Sequence, residues 1–229
     1  MENLLNFPPS TRLKIVIPKT AFYKHLDVNT KIKQDFVEGV DKITWIYKLA
    51  PSVLNVNEGK EVSEIAIFQV QLKSKKYPNN LFLFIDKYLP RHTVFLLQYQ
   101  EEYRLLLNYK EWQNRERNIY IILQSFVSAW MTRENLRLHL QGQTMDKIYE
   151  NFAGAISGYG TSTREDTKQI IALEHQIQQK VRQAEALQKR VRLEPQVNRQ
   201  IAENTEARSL KQEIKLLRQE IEKLKKGKI

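Results

Sequence analysis

The sequence contains no cysteine and only seven glycines in 229 residues. Without cysteine the chain has no disulfide framework, no thiolate nucleophile and no cysteine-ligated zinc or iron–sulfur cluster. Glycine-rich phosphate loops of the P-loop or dinucleotide type are missing, and so is any His-Glu-x-x-His helix. The sequence therefore gives no support for nucleotide hydrolysis or zinc proteolysis.

Long apolar runs are also missing. No window approaches the ~18 uninterrupted apolar residues of a membrane-spanning helix, and the start, MENLLNFPPSTR, has no basic stretch followed by an apolar run. We therefore expect neither secretion nor membrane contact, and a location in a reducing cytoplasm. Positive charge is in excess, with a formal net charge of +11. That excess favours an acidic partner such as nucleic acid, or serves solubility alone.

Alternating helical and strand-like segments predict the fold class. Apolar positions predict these five strands: Ile43–Ala50, Glu64–Lys73, Thr93–Tyr99, Tyr103–Tyr109 and Ile119–Leu123. Helices are predicted over Lys19–Val40 in two pieces, over Leu81–Leu89 behind the caps Asn79 and Asn80, and from Thr132 to Phe152 on a stripe that includes Leu136 and Leu140. Because several strands are apolar on both faces, we expect an α+β, α/β-like fold with a mixed sheet covered by helices.

A glycine-rich stretch divides the chain. Residues 154–163 (GAISGYGTST) predict a flexible linker between an α/β core domain, residues 1–153, and a helical tail, residues 164–226.

The tail has two heptad registers that do not join. The apolar positions predicted to bind a partner helix are Ile170, Leu173, Ile177, Leu187, Leu210, Ile214, Leu217, Ile221 and Leu224. A break or reversal is expected near Pro195, because proline interrupts a helix. Two arrangements are open: a reversal makes an antiparallel hairpin within one chain, and a bend makes an intermolecular coiled coil. We favour self-association, since Ile and Leu alternate in the second register as they do in parallel dimers.

One strand carries a pattern seen in restriction-type nucleases. There an acidic residue precedes a strand that ends in acid-x-Lys, and the carboxylates hold Mg²⁺. Here Glu64 opens the strand, and Gln71 and Lys73 end it. Glutamine is a poor metal ligand and Glu64 falls on the opposite face, so an ordinary strand end is the preferred interpretation and a Mg²⁺ site the alternative. We expect no other cofactor and no other metal.

A second polar cluster lies in the sequence IDKYLPRH, between a predicted helix and a predicted strand. Asp86, Lys87, Arg91 and His92 are candidates for a binding site there, because binding residues are common on such connections. Surface charge at a turn is the preferred interpretation.

Six segments together resemble a bacterial family that is described only as a domain of unknown function. They are residues 17–26 (IPKTAFYKHL), 42–51 (KITWIYKLAP), 64–73 (EIAIFQVQLK), 85–97 (IDKYLPRHTVFLL), 106–112 (LLNYKEW) and 197–217 of the tail. The resemblance brings no catalytic residues. It implies a genomic neighbourhood of Swi/Snf-type helicases and DNA methyltransferases in phage-defence islands.

The leading hypothesis is a non-catalytic accessory or scaffold subunit of an anti-phage defence or DNA-processing complex. It would contact a helicase or methyltransferase subunit, and a second copy of itself through the tail, with DNA as a further candidate partner. The alternatives are a divergent Mg²⁺-dependent nuclease and a nucleic-acid-binding module.

Overall fold

The computed structural model describes residues 3–24, 30–117, 119–160 and 163–225. These residues form two compact units, Met1–Tyr159 and Gly160–Ile229. The first unit contains a seven-stranded mixed sheet, which confirms the predicted class of an α+β fold. Among the described residues, no helix has the length and apolar character needed to cross a membrane.

The sheet and its helices follow one another along the first unit. The strands are β1 (Arg12–Ile17), β2 (Val40–Leu49), β3 (Ile65–Leu72), β4 (His92–Tyr99), β5 (Glu102–Asn114), β6 (Ile119–Val127) and β7 (Met131–Thr132). The helices are α1 (Lys19–Lys24), α2 (Thr30–Gly39), α3 (Pro51–Leu54), α4 (Asn79–Tyr88) and α5 (Met145–Ser157). Short 3-10 turns cover Pro9–Thr11 and Arg133–Asn135.

The strands lie in the order β1-β2-β3-β4-β5-β6, and β7 pairs with β5. Strands β3 and β4 are parallel, and every other neighbouring pair is antiparallel. Helix α4 makes the connection between the two parallel strands, as such a crossover requires. The β4–β5 connection is a tight turn in which Gln100 has a positive φ of 53°.

One face of the sheet packs against α2 and α4. The buried residues of this cluster come from both helices and from the strands: Phe36, Leu81, Phe82, Ile85, Ile43, Ala66, Phe68, Val70, Phe95 and Leu97. On the other face, Phe7 of the N-terminal segment stacks on Phe152 of α5, with ring centroids 6.1 Å apart, and meets the edge of Tyr47 at 5.1 Å. The N-terminal segment and α5 thus cover part of the second face.

The predicted helix from Thr132 to Phe152 is wrong over its first half. Helix α5 begins at Met145, where Thr144 caps it by accepting a hydrogen bond from the Lys147 N–H at 3.2 Å. The preceding segment is extended, and Leu136 and Leu138 are buried with relative exposures of 1% and 4%. Alternate positions therefore face the core, so the period of the burial is two residues and not 3.6.

Other elements also differ from the sequence prediction. Helix α5 continues four residues into the predicted linker and ends before Gly158, which has a φ of 75°. Helix α4 includes Asn79 and follows Pro78, so no side chain caps it. Strand β1 was not predicted, because Arg12 and Lys14 interrupt its apolar pattern.

The second unit consists of α6 (Arg164–Val191) and α7 (Val197–Lys225), separated near Pro195 as expected. Thr163 and Asp166 form a capping box at the start of α6. The further along α6 a residue lies, the earlier in α7 its partner lies. Lys180 Nζ lies 2.6 Å from Glu213 Oε2, and Arg190 Nε lies 3.6 Å from Glu203 Oε1. The two helices are therefore antiparallel within one chain.

Candidate functional site

The second face of the sheet is covered by α5 at one end and carries polar side chains at the other. Along β3 the residues on this face are Ile65 and Ile67, and then Gln69 and Gln71. The neighbouring strand β4 changes one same-face pair further along, from Val94 and Leu96 to Gln98, because Gln69 pairs with Leu96 and Gln71 pairs with Gln98. Because successive side chains of a strand alternate between faces, both strands turn polar on one face while the other face stays apolar.

The polar end of this face contains a cavity of about 280 Å³. We call the residues that line this cavity the cationic face. Its lining residues come from the N-terminal segment and from β1 to β5: Leu4, Arg12, Lys14, Val16, Lys42, Thr44, Ile46, Tyr47, Gln69, Gln71, Gln98 and Tyr103. Three of them are cationic, and none of these described residues is Asp or Glu. The cavity therefore presents positive charge without an internal counterion.

The register of the strands fixes this arrangement. Lys42 on β2 pairs with Gln71 on β3, Gln71 pairs with Gln98 on β4, and Gln98 pairs with Tyr103 on β5. One row of side chains thus crosses four strands, which lie about 4.8 Å apart. Arg12 and Lys14 line the same cavity from the edge strand β1, towards its other end, where Arg12 pairs with Tyr47.

The cations of this surface are available to a ligand. Lys14 and Lys42 are exposed and form no ion pair within the part of the chain that the structure describes. The Arg12 guanidinium donates to the Phe7 carbonyl oxygen at 3.3 Å, and its buried Nε has no hydrogen-bond partner there.

The three residues of the nuclease alternative do not come together. Glu64 binds Lys48 at 3.0 Å and Arg91 at 2.7 Å, at the start of β3. Lys73 lies beyond the other end of the strand and donates to the Val37 carbonyl oxygen at 2.8 Å. Nine residues of extended chain separate them by roughly 30 Å. Only Gln71 belongs to the cationic face, and the described residues contain no group of three His, Asp or Glu side chains placed to hold a metal ion.

The polar cluster predicted between α4 and β4 divides into buried and exposed members. Lys87 is exposed, and Arg91 lies 4.8 Å from the centre of the Trp45 ring while it binds Glu64. Asp86 and His92 are buried. The His92 ring meets the edges of aromatic rings, with centroids 4.6 Å from Tyr149 and 5.3 Å from Tyr120.

Asp86 binds a residue that the sequence did not suggest. Lys110 of β5 donates to Asp86 Oδ1 at 2.8 Å, to the Asp86 carbonyl oxygen at 3.0 Å and to the Leu89 carbonyl oxygen at 3.3 Å. Desolvation raises the pKa of Asp86, against the opposing effects of Lys110, Asn108 and Thr93. Desolvation likewise lowers the pKa of Lys110. Both side chains have no exposed surface, so the pair holds the end of α4 to the sheet and is closed to ligands.

The apolar tail residues lie at or near the contact between α6 and α7. Ile170, Leu173, Leu187, Ile214 and Ile221 are buried. The other four are half-buried: Ile177, Leu210, Leu217 and Leu224. The antiparallel hairpin within one chain thus explains why apolar residues recur in both heptad registers. Association of two chains through these residues stays a prediction.

The two units define a class of protein: an α+β domain with a mixed sheet and one cationic face, and a separate pair of antiparallel helices. Residues 5–225 match the family described as Domain of unknown function (DUF4391), and the chain belongs to that family. Searches of curated proteins and of solved structures found no match.

Proposed function

We propose that this protein is a non-catalytic DNA-binding subunit of a DNA-processing assembly, and that it contacts DNA through the cationic face. The observation that carries the proposal is the placement of Arg12, Lys14 and Lys42 around one cavity that no carboxylate lines. Lysine and arginine bind DNA by neutralising phosphates, and this charge term dominates sequence-independent affinity.

Two features support a binding role over catalysis. The polar side chains inside the cavity, apart from the cations, are carboxamides and hydroxyls, which form hydrogen bonds but do not transfer protons at neutral pH. The described residues that line it include no pair of acid and base groups of the kind that general acid–base chemistry uses. Phosphate binding is therefore the chemistry that these side chains serve best.

The test is DNA binding by a variant with two charges removed. Fluorescence anisotropy with a labelled oligonucleotide at physiological salt should give a Kd on the order of 10⁻⁵ M for the wild type. Lys14→Gln with Lys42→Gln should weaken binding by about tenfold, since two exposed phosphate contacts are lost. The matched control is Lys31→Gln with Lys33→Gln, which removes the same charge from α2 on the other side of the sheet. Equal losses in the two variants would show that only net charge matters.

The partner subunit in this proposal rests on the sequence resemblance. A Swi/Snf-type helicase or a DNA methyltransferase is the expected partner, and a defence role against phage is the expected context. Co-purification of the tagged chain from its host, with identification of the bound proteins by mass spectrometry, tests this part. Recovery of neither enzyme would overturn it and leave DNA binding to be judged separately.

A further inference from the structure

Gln71 differs from the other two glutamines of the cationic face. The Gln69 amide donates to Gln98 Oε1 at 2.6 Å, and the Gln98 amide donates to the Gln100 carbonyl oxygen at 3.0 Å. The half-buried Gln71 side chain forms no hydrogen bond within the described part of the chain. Partly buried amides usually find partners, so this carboxamide has two donors and an acceptor to offer a ligand.

The neighbours of Gln71 indicate what that ligand contains. Lys42 is its cross-strand partner on one side, about one strand spacing away, and Arg12 and Lys14 line the same cavity further along the strands, where Arg12 pairs with Tyr47. The cavity therefore places an anion-binding group directly beside an amide. A nucleotide has the matching arrangement, with a phosphate next to a base whose edge carries hydrogen-bond donors and acceptors.

The shape of the cavity distinguishes single-stranded from double-stranded DNA. Gln71 lies on the floor of a broad sheet, whereas the base edges of a duplex lie inside grooves that admit a helix or a narrow β-ribbon. A sheet of seven strands cannot enter such a groove. In a single strand the bases are free to turn towards the protein. The volume of about 280 Å³ lies near the lower limit of small-molecule pockets, roughly 300 Å³, which suits one nucleotide.

The aromatic residues of the cavity do not provide a stacking surface. Tyr47 and Tyr103 have relative exposures of 2% and 4%, so their rings are covered by the protein. Many single-strand binders gain affinity by stacking bases on exposed rings. Without an exposed ring, the base can be recognised only through hydrogen bonds. Gln71 is then the side chain that distinguishes one base from another.

We infer that the cationic face binds single-stranded DNA, with phosphates on Arg12, Lys14 and Lys42 and one base edge on Gln71. This inference rests on the proposed function and names its ligand and its specificity-determining residue. Gln71 contacts no phosphate, so its effect must depend on the base and not on the salt concentration.

The experiment measures anisotropy with three labelled probes: a 15-mer of dA, a 15-mer of dT and a 15-base-pair duplex. The full-length wild type is compared with Gln71→Leu, which keeps the approximate size and removes the amide. Gln34→Leu on α2 is the control, and thermal unfolding of each variant verifies the fold. The wild type should bind at least one homopolymer about tenfold more tightly than the duplex, and the two homopolymers unequally.

The Gln71→Leu variant should lose about tenfold in affinity for the preferred homopolymer, while its salt dependence stays that of the wild type. Gln34→Leu should change neither the affinity for the preferred homopolymer nor the salt dependence. Equal binding of the duplex, or an unchanged base preference in Gln71→Leu, would overturn this inference and leave the proposed function standing. Failure of the wild type to bind any of the three probes would instead contradict the proposed function.

Discussion

Lys110 and Asp86 form an ion pair that is closed to solvent: their charged atoms lie 2.8 Å apart, and neither side chain has any exposed surface. The same ammonium group binds two carbonyl oxygens at the end of α4, where a positive charge is favoured by the helix dipole. This pair ties the crossover helix to β5 and helps to hold the parallel strands β3 and β4, whose ends carry the cationic face.

Removing one member of the pair should destabilise the fold strongly. Lys110→Met leaves a buried carboxylate without its cation, which we expect to lower the free energy of unfolding by about 3–5 kcal/mol. Replacing both residues, by Asp86→Leu with Lys110→Met, should restore most of the loss. Urea denaturation measures the free energy of unfolding of the single and of the double variant. The control is Lys48→Met, which removes a surface partner of Glu64 and should cost at most about 1 kcal/mol. A Lys110→Met variant as stable as the control would contradict a structural role for the pair.

The same pair should give the fold a characteristic pH dependence. Burial raises the pKa of Asp86 above its ordinary value of 3.8, so the folded chain holds this proton more tightly than the unfolded chain. The stability that this adds is complete below pH 3.8 and is lost as the pH rises through the raised pKa. Relative to the variant Asp86→Leu with Lys110→Met, the Asp86 titration should therefore add stability as the pH falls from 7 towards 4. The lowered pKa of Lys110 acts with the opposite sign, because it removes stability as the pH falls from 10.5 through that lowered pKa. Urea denaturation at several pH values measures the difference, and a relative loss over that range would contradict the direction of the shift.

A loop glycine should be hard to replace. A Cβ atom added to Gly59 would lie 2.5 Å from the Val62 carbonyl oxygen and would also collide with the Asp146 carboxylate. That carboxylate accepts hydrogen bonds from the backbone N–H groups of Lys60 and Val62 at 2.7 and 2.8 Å. We expect Gly59→Ala to lower the free energy of unfolding by about 2 kcal/mol, as measured by urea denaturation. Gly39→Ala, whose added Cβ would make an ordinary 3.5 Å contact with Pro78, should change it little. Equal losses of stability in Gly59→Ala and Gly39→Ala would contradict the close contacts around Gly59.

The absence of cysteine makes the helical tail simple to test. In the hairpin, Lys180 lies beside Glu213 of the same chain. Lys180→Cys with Glu213→Cys, treated with a short flexible bis-maleimide, should give a cross-linked monomer. The single variant Lys180→Cys should give no dimer. A parallel coiled coil would place two copies of residue 180 side by side, so efficient dimer formation by the single variant would favour self-association through the tail.

The sequence predicts most of the architecture because apolar periodicity is strong in this chain. Strand β3 and the break near Pro195 are visible in it. The full lengths of β5 and β6 are not visible in it. The charged residues Lys110 and Glu111 end the apolar pattern of β5 before the strand ends, and the polar residues Gln124 and Ser125 do the same in β6. The extended segment before α5 misleads, since Leu136 and Leu140 happen to share a helical spacing.

The candidate site was harder to predict, because it depends on which strands are neighbours. Each cation and each glutamine is unremarkable in its own segment, and only the register brings Lys42, Gln71 and Gln98 into one row. One local signal was present. Polar side chains replace aliphatic ones on a single face of both β3 and β4, which indicates that one end of that face is not covered by a helix. Lys110 gave a similar signal, as a cation that directly follows the largely apolar residues LLNY at 106–109.

The most direct test of the central claim is the salt dependence of DNA binding. If Arg12, Lys14 and Lys42 each neutralise one phosphate of a single strand, the logarithm of the association constant should fall with the logarithm of the salt concentration with a slope of roughly −2. In Lys14→Gln with Lys42→Gln the slope should become shallower by about 1.4, since about 0.7 is lost per contact. An unchanged slope in that variant, or wild-type binding that is independent of salt, would contradict the cationic face as the DNA-binding site.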